Sequence, residues 1–223
     1  MKRLNESHFE KLYRGQTKRA TIHIRTTREI VGGLPAEEKG VTAFVKSYLG
    51  VTDPKEQQEA VQRILHEEIG ERDATPEEGA LVDSNVYGVC VVRRTEHGPW
   101  IGDWMFKAMI KQSSTQVGMF AQKRGTKGHV AEAGRIQAAG PSIKGKPYEV
   151  HAVKEDGTPV ETYYKEFKGN VNTPLGRRSI VSHKECLPVG SEFYFVFDWV
   201  GRKLNGDDLA EIFAMARQVG IGS

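Results

Sequence analysis

Cysteine is scarce in this sequence, with two residues among 223. Cys90 and Cys186 both lie in apolar, strand-like runs, so we expect reduced thiols in the core rather than a disulfide. The sequence contains no CxxC pair and no spaced set of cysteines and histidines, which argues against a structural zinc site. This pattern predicts a cytoplasmic protein that uses no metal and no cofactor.

Long hydrophobic runs are also missing. The longest, such as Val89–Val92, are far shorter than the roughly 20 apolar residues that a membrane helix needs. The N-terminal stretch MKRLNESHFEKLYRG is basic but has no apolar segment behind it, so it does not have the form of a secretory signal. With 38% hydrophobic and 27% charged residues, the composition is that of an ordinary globular protein. We expect one domain over residues 1–223 and no membrane partner.

What the sequence does contain is an uneven distribution of positive charge. The formal net charge is only +3, which by itself favours an anionic partner weakly. Residues 113–147, however, are rich in glycine, serine, lysine and arginine, with little sustained period and room for a short helix at 130–138. We expect a basic, flexible insertion there, because a long stretch of this kind inside a domain is usually functional or mobile. Residues 168–188 form a second basic stretch that is rich in turn residues.

Mixtures of glycine with lysine and arginine suit phosphate binding, since they combine cations with backbone amides that can approach closely. The alternative interpretation is a set of solvated loops. The predicted nucleic-acid-binding residues are Lys107, Lys111, Lys123, Arg124, Lys127, His129, Arg135, Lys144, Lys146, Arg177 and Arg178. Tyr163, Tyr164 and Phe167, interleaved with lysines, could stack bases, or could form a strand with one aromatic face in the core.

Hydrophobic periodicity predicts several regular elements. Alternation over residues 19–28 is typical of a half-buried strand, and 86–92 indicates a strand that is buried on both faces. Helical spacing predicts a helix that begins near Pro35 and ends at Gly50, and a second over 53–70 with Asp53 as its cap. Further helices are predicted from Trp100 to about 111 and at the end of the chain. Residues 148–164 indicate a strand, a turn and a second strand, and EFYFVFDWV (192–200) is a strand with an aromatic face.

The segments LPVGSEFYFVFDWVGRKLNGDDLAEIFAMARQVGIGS (187–223) and PWIGDWMFKAMIK (99–111) resemble parts of the RAMP-type ferredoxin-like domain of CRISPR-associated RNA-binding proteins. The resemblance implies an α+β, ferredoxin-like core, with an antiparallel sheet and helices on one face. Gly220 and Gly222 are similar to the first half of a glycine-rich loop that precedes the last strand in that family. The second half of that loop is absent here, so either the natural chain continues or these glycines cap a terminal helix.

The function expected from both lines of reasoning is non-catalytic binding of single-stranded RNA, with or without a complementary strand, through the sugar-phosphate backbone. By resemblance, the nearest counterpart is the backbone subunit of CRISPR effector complexes, which assembles head to tail along a guide RNA. One alternative is a phage-type structural or assembly protein whose basic loops meet neighbouring subunits. Another is a metal-independent RNA-processing endonuclease that uses one of the seven histidines, although no H-E-x-x-H, P-loop or nucleophile-elbow motif is present.

Overall fold

The computed structural model describes residues 17–47, 49–69, 86–117, 134–173, 176–200 and 206–221. Strands and helices are mixed along the chain, so the predicted α+β class is confirmed. The strands are β1 (Thr17–Arg25), β2 (Ile30–Val31), β3 (Leu34–Pro35), β4 (Val86–Val91), β5 (Arg94–Thr95), β6 (Gly98–Gly102), β7 (Gly134–Ala138), β8 (Glu149–His151), β9 (Tyr163–Thr173), β10 (Gly176–Leu187) and β11 (Glu192–Val200). The helices are α1 (Glu38–Ser47), α2 (Pro54–Arg63), α3 (Asp103–Gln116) and α4 (Gly206–Val219). Within these ranges, every helix is too short or too polar to cross a membrane.

The chain forms two compact units, each assembled from separated segments. The described parts of 1–24, 102–150 and 193–223 make up unit one, and those of 25–101 and 151–192 make up unit two. A third small sheet, of order β5-β6-β8, adds to the two main sheets described below. The single domain over 1–223 stays a prediction.

Unit one is built on a three-stranded sheet of order β1-β11-β7. The aromatic side chains Phe193, Phe195 and Phe197 alternate along β11 and are fully buried. Phe106 of α3 packs on this face, with ring-centroid distances of 5.5 Å to Phe193 and 4.8 Å to Phe195. Helix α4 packs against α3 and contributes the buried Ile212. The helices therefore cover the phenylalanine face of the sheet, as the period-two pattern of β11 requires.

In chain order, unit one contains β1, α3, β7, β11 and α4, and β11 lies between β1 and β7. The β11–β7 pair is antiparallel, with Phe197 opposite Ile136 and Asp198 opposite Arg135. Towards β1, Asp198 contacts Arg19 and Tyr194 contacts His23. Residue numbers thus rise on one strand as they fall on the other, so β1 and β11 are also antiparallel.

Unit two is built around β10, in a sheet of order β2-β10-β4-β3 to which β9 adds by pairing with β10. Helices α1 and α2 pack on it, and the core cluster includes Leu34, Val41, Val45, Ile64 and Val91. A π-helical turn, Ile64–Ile69, continues α2. The predicted cap of α2 is confirmed: the Asp53 carboxylate accepts from the backbone amides of Lys55 and Glu56, at 2.9 and 3.0 Å.

Three local predictions are wrong. The basic stretch 168–188 is not a turn-rich loop, because it forms most of the β9–β10 hairpin, whose register runs from Cys186 opposite Tyr163 to Gly176 opposite Thr173. The short helix at 130–138 is replaced in its described part by β7, since residues 134–138 pair with β11. Trp100 lies in β6, and the helix begins only at Asp103.

Candidate nucleic-acid interface

One face of the unit-one sheet lies opposite the face that α3 covers, and its side chains are exposed or half-buried. It is the face that points away from Phe106, and we call it the open face. Because side chains alternate along a strand and directly opposite residues share a face, the members of this face follow from the register. The open face consists of Arg19, Thr21 and His23 of β1, Tyr194, Val196 and Asp198 of β11, and Arg135 and Gln137 of β7.

Two aromatic rings lie together at one end of the open face. The imidazole of His23 is stacked on the phenol ring of Tyr194, with ring centroids 4.3 Å apart and planes within 4° of parallel. His23 is exposed and Tyr194 half-buried. The backbone of Tyr194 is held on both sides: its amide donates to Ser142 Oγ at 2.9 Å, and its carbonyl accepts from the amide of Ala139 at 2.9 Å. The pair is thus a fixed, solvent-accessible aromatic surface.

An ion pair occupies the other end of the open face. Arg19 donates from Nε to one carboxylate oxygen of Asp198 at 2.7 Å, and from Nη2 to the other at 2.9 Å. The Arg19 side chain is 68% exposed, whereas that of Asp198 is 15% exposed. The hydrogen bonds from Arg19 hold the pKa of Asp198 below its usual range, and the charge of Arg135 acts in the same direction. The carboxylate is therefore ionised at neutral pH.

Arg135 lies across the sheet from Arg19, on β7. The Gln137 amide is assigned the orientation in which its oxygen faces Arg135, because only that orientation gives the arginine an acceptor. In it, Nη2 and Nε of Arg135 donate to the Gln137 oxygen at 2.8 and 3.1 Å. Arg135 is exposed. Its hydrogen-bond partner is neutral, whereas Arg19 is hydrogen-bonded to the Asp198 carboxylate, which also lies opposite Arg135. The two arginines and Asp198 together therefore leave one net positive charge on this face.

The described part of the predicted interface is dispersed. Lys107 and Lys111 lie on α3, the helix that covers the phenylalanine face, so the sheet separates them from Arg135. Lys144 and Lys146 are exposed and follow the 3-10 turn Gly140–Ser142, which holds Tyr194. The structure therefore places Arg135 on the same face as the aromatic pair, at the opposite end, and on the other side of the sheet from the α3 lysines.

The remaining predicted residues cannot be assigned to this face. Lys123, Arg124, Lys127 and His129 lie outside the described residues. Arg177 and Arg178 lie on β10 of unit two, opposite Asn172 and Val171 of β9, where the structure describes the backbone.

The aromatic residues of β9 have separate environments. Tyr164 is half-buried and packs against the core cluster of unit two, as expected if one aromatic face of the strand lies in the core. Phe167 is half-buried on the surface of the hairpin, with the ammonium groups of Lys165 and Lys184 at 5.6 and 5.3 Å from its ring centroid. Tyr163 donates to Glu29 at 2.5 Å, and Lys165 donates to the same carboxylate. Phe167 with its two lysines is thus a second basic and aromatic surface, on unit two.

Sequence reasoning did not select Arg19, His23, Tyr194 or Asp198 as binding residues. A signal was present, because Arg19, Thr21 and His23 form the polar side of an alternating strand, and Tyr194 and Asp198 alternate with phenylalanines. Each strand alone shows only that these side chains face solvent. Their juxtaposition depends on the pairing of strands that are more than 150 positions apart.

Asp198, Asp207 and Asp208 have carboxylates of the kind that bind metals, but each has another environment. Asp198 pairs with Arg19, while Asp207 and Asp208 lie in the first turn of α4, where carboxylates favour the helix N-terminus. In the described ranges, no cluster of three or more histidine, cysteine or acidic side chains could bind a metal ion. In comparisons with known proteins, no family model and no curated sequence matches this chain.

Proposed function

We propose that this protein binds single-stranded RNA without catalysis, and that the open face of unit one contacts the strand. The observation that carries the proposal is the stacked His23–Tyr194 pair on the sheet face opposite the phenylalanine core. Bases stack on exposed aromatic rings whatever their identity, and each such contact contributes about 1–3 kcal/mol. The unpaired bases of a single strand can reach rings of this kind, whereas the bases of a duplex cannot.

Positive charge on the open face and beyond the adjoining turn supports the same function. Arg135 is exposed and keeps its charge, and Lys144 and Lys146 follow the turn whose Ser142 hydroxyl fixes the Tyr194 backbone. Phosphates of a strand that crosses the sheet would pair with such cations, which position the strand without reading its sequence. Overall sequence preference is then low, and binding weakens with salt.

The topology of unit one supports a ferredoxin-like core. The order β-α-β-β-α, with β11 between β1 and β7 and antiparallel to both, matches the first five elements of the β-α-β-β-α-β arrangement. RNA-recognition domains of this architecture stack bases on the sheet face that the helices leave open. On this basis and on the resemblance of 187–223 and 99–111, we propose a subunit of a CRISPR-type ribonucleoprotein that assembles head to tail along its RNA.

The test is fluorescence anisotropy with a labelled single-stranded RNA at about 50 and 200 mM salt. The wild-type chain is expected to bind, and Tyr194→Ala to weaken binding by about tenfold, since one stacking contact is lost. Tyr148→Ala is the control, because Tyr148 is an exposed tyrosine of unit one that is not a member of the open face. Absence of binding at low salt, or equal effects of the two substitutions in folded variants, would contradict the proposal.

The same samples distinguish the two alternatives. A chain that binds no RNA at either salt concentration, yet self-associates, fits a structural or assembly protein. Cleavage of the RNA in the presence of EDTA, abolished by His23→Ala, fits a metal-independent nuclease, because His23 is the histidine of the open face.

A further inference from the structure

The two arginines of the open face are held through the same edge, but one is bonded to a charged group and the other to a neutral group. Each uses the edge formed by Nε and Nη2: Arg19 towards the Asp198 carboxylate, and Arg135 towards the neutral Gln137 amide. A guanidinium has five N–H donors in a rigid plane, so an arginine held by that edge still presents the edge formed by Nη1 and Nη2. For Arg19, whose side chain is 68% exposed, no further partner is present among the described residues.

The Asp198 carboxylate decides which ligand suits the second edge of Arg19. The pair is electrically neutral, and its carboxylate repels a phosphate that approaches Arg19, whereas it does not repel an uncharged base. Guanine offers an arginine two adjacent acceptors, O6 and N7, and this bidentate pair is the commonest specific contact between an arginine and a base. Arg135 lies opposite the same Asp198 but donates to the neutral Gln137 amide, so its charge is neutralised less completely than that of Arg19 and suits a phosphate instead.

We infer that Arg19, held by Asp198, reads one guanine on the RNA strand that crosses the open face. Asp198 is then a positioning residue that acts through Arg19. The inference rests on the proposed function and adds to it a local base preference in an otherwise tolerant interface. Arg19 and His23 are four residues apart on β1, about 13 Å along the strand. This separation lets one strand place a guanine at Arg19 and another base on the His23–Tyr194 pair.

The test compares labelled eight-nucleotide RNAs at one salt concentration: oligouridine, the same strand with one central guanosine, and the same strand with 7-deazaguanosine, which lacks the N7 acceptor. The guanosine strand is expected to bind about tenfold more tightly than oligouridine, the size of one bidentate arginine contact. The 7-deazaguanosine strand should lose most of this preference.

Two substitutions make the inference specific. Asp198→Asn removes a negative charge and the ionic clamp, so affinity for oligouridine should rise while the guanosine preference falls. A merely destabilised protein would not change these two quantities in opposite directions. Arg135→Gln should leave the guanosine preference intact. It should make the slope of log affinity against log salt concentration shallower by about one, since one phosphate contact is lost.

The outcomes separate this inference from the proposed function. If no strand binds at low salt, the proposed function fails and the inference fails with it. If oligouridine binds but guanosine adds nothing, or if Asp198→Asn keeps the full preference, then RNA binding stands and the reading of guanine by Arg19 is refuted. Equal melting temperatures of wild type and variants exclude a folding defect.

Discussion

Arg94 donates a hydrogen bond of 3.0 Å to the buried carboxylate of Glu185 in unit two. The Glu185 side chain is 2% exposed, and its two oxygens also accept from the Thr162 hydroxyl at 2.5 Å and from the Val92 amide at 2.9 Å. A buried carboxylate with this many donors ties β10 to the neighbouring segments. Removing it leaves several polar groups without their partner.

Glu185→Ala should therefore destabilise the protein strongly, by about 3–5 kcal/mol, because a buried ionic network loses its centre. The measurement is urea-induced unfolding followed by circular dichroism. Glu161→Ala is the control, since Glu161 is 90% exposed and its ion pair with Lys154 lies at the surface. Similar midpoints for the two variants would show that the Glu185 network contributes little.

Two adjacent glycines of unit two, Gly32 and Gly33, differ in the space available for a side chain, so the same substitution at each tests local packing. The Gly32 amide donates to the Glu185 carbonyl at 2.7 Å, and a Cβ on Gly32 would lie 2.4 Å from the carbonyl carbon of Val91. At Gly33 a Cβ would meet nothing within 4 Å. Gly32→Ala should cost about 1–3 kcal/mol through the clash with backbone. Gly33→Ala should leave stability unchanged or raise it by up to about 1 kcal/mol.

Thermal unfolding of the two glycine variants checks this prediction. The difference between them is the informative quantity, because both lose the same backbone freedom in the unfolded chain. Equal melting temperatures would mean that the chain near Val91 yields easily to the added methyl group.

The hydrogen bond from Tyr163 to Glu29 predicts an unusual tyrosine titration. This bond stabilises the neutral phenol and raises the pKa of Tyr163 to about 12, above its ordinary value of 10.0. The folded pKa exceeds the unfolded one, so the stabilisation is fully present below pH of about 10 and is lost as the pH rises through about 12. Absorbance titration at alkaline pH, compared with Tyr163→Phe, isolates this residue.

Substitution of the acceptor tests the cause of that shift. Glu29→Gln should lower the pKa of Tyr163 towards the ordinary value, because the charged acceptor is gone. Glu166→Gln is the control, since Glu166 pairs with Lys168 and not with Tyr163. A Tyr163 titration that is the same in wild type and Glu29→Gln would contradict the assignment.

The two cysteines should react slowly as thiols in the folded protein. Burial raises the pKa of both Cys90 and Cys186, and Cys186 is fully buried. Less thiolate and less access both slow attack on a disulfide reagent. At pH 8, both thiols should react quickly with the reagent in denaturant and much more slowly in the folded protein. Rapid modification of Cys186 in the native state would show that β10 opens readily.

Several elements followed from local pattern alone. The alternation of β1 and β11, the helical spacing of α1 and α4, and the Asp53 cap were all predicted correctly, because each depends on residues within one or two turns or one strand. The hairpin of β9 and β10 was not predicted, because polar, basic and glycine residues fill a ribbon that shows no continuous apolar side. Its stability as a strand pair comes from β10, which also pairs with β4.

The sequence by itself determined which side of each strand is polar and where positive charge is dense. Only the tertiary structure decided which of those polar sides meet: it joins His23 with Tyr194 and Arg19 with Asp198, and it places Lys107 and Arg135 on opposite sides of one sheet. The physical reason is that periodicity records the direction of a side chain relative to its own backbone, while strand order is set by long-range hydrogen bonds and core packing.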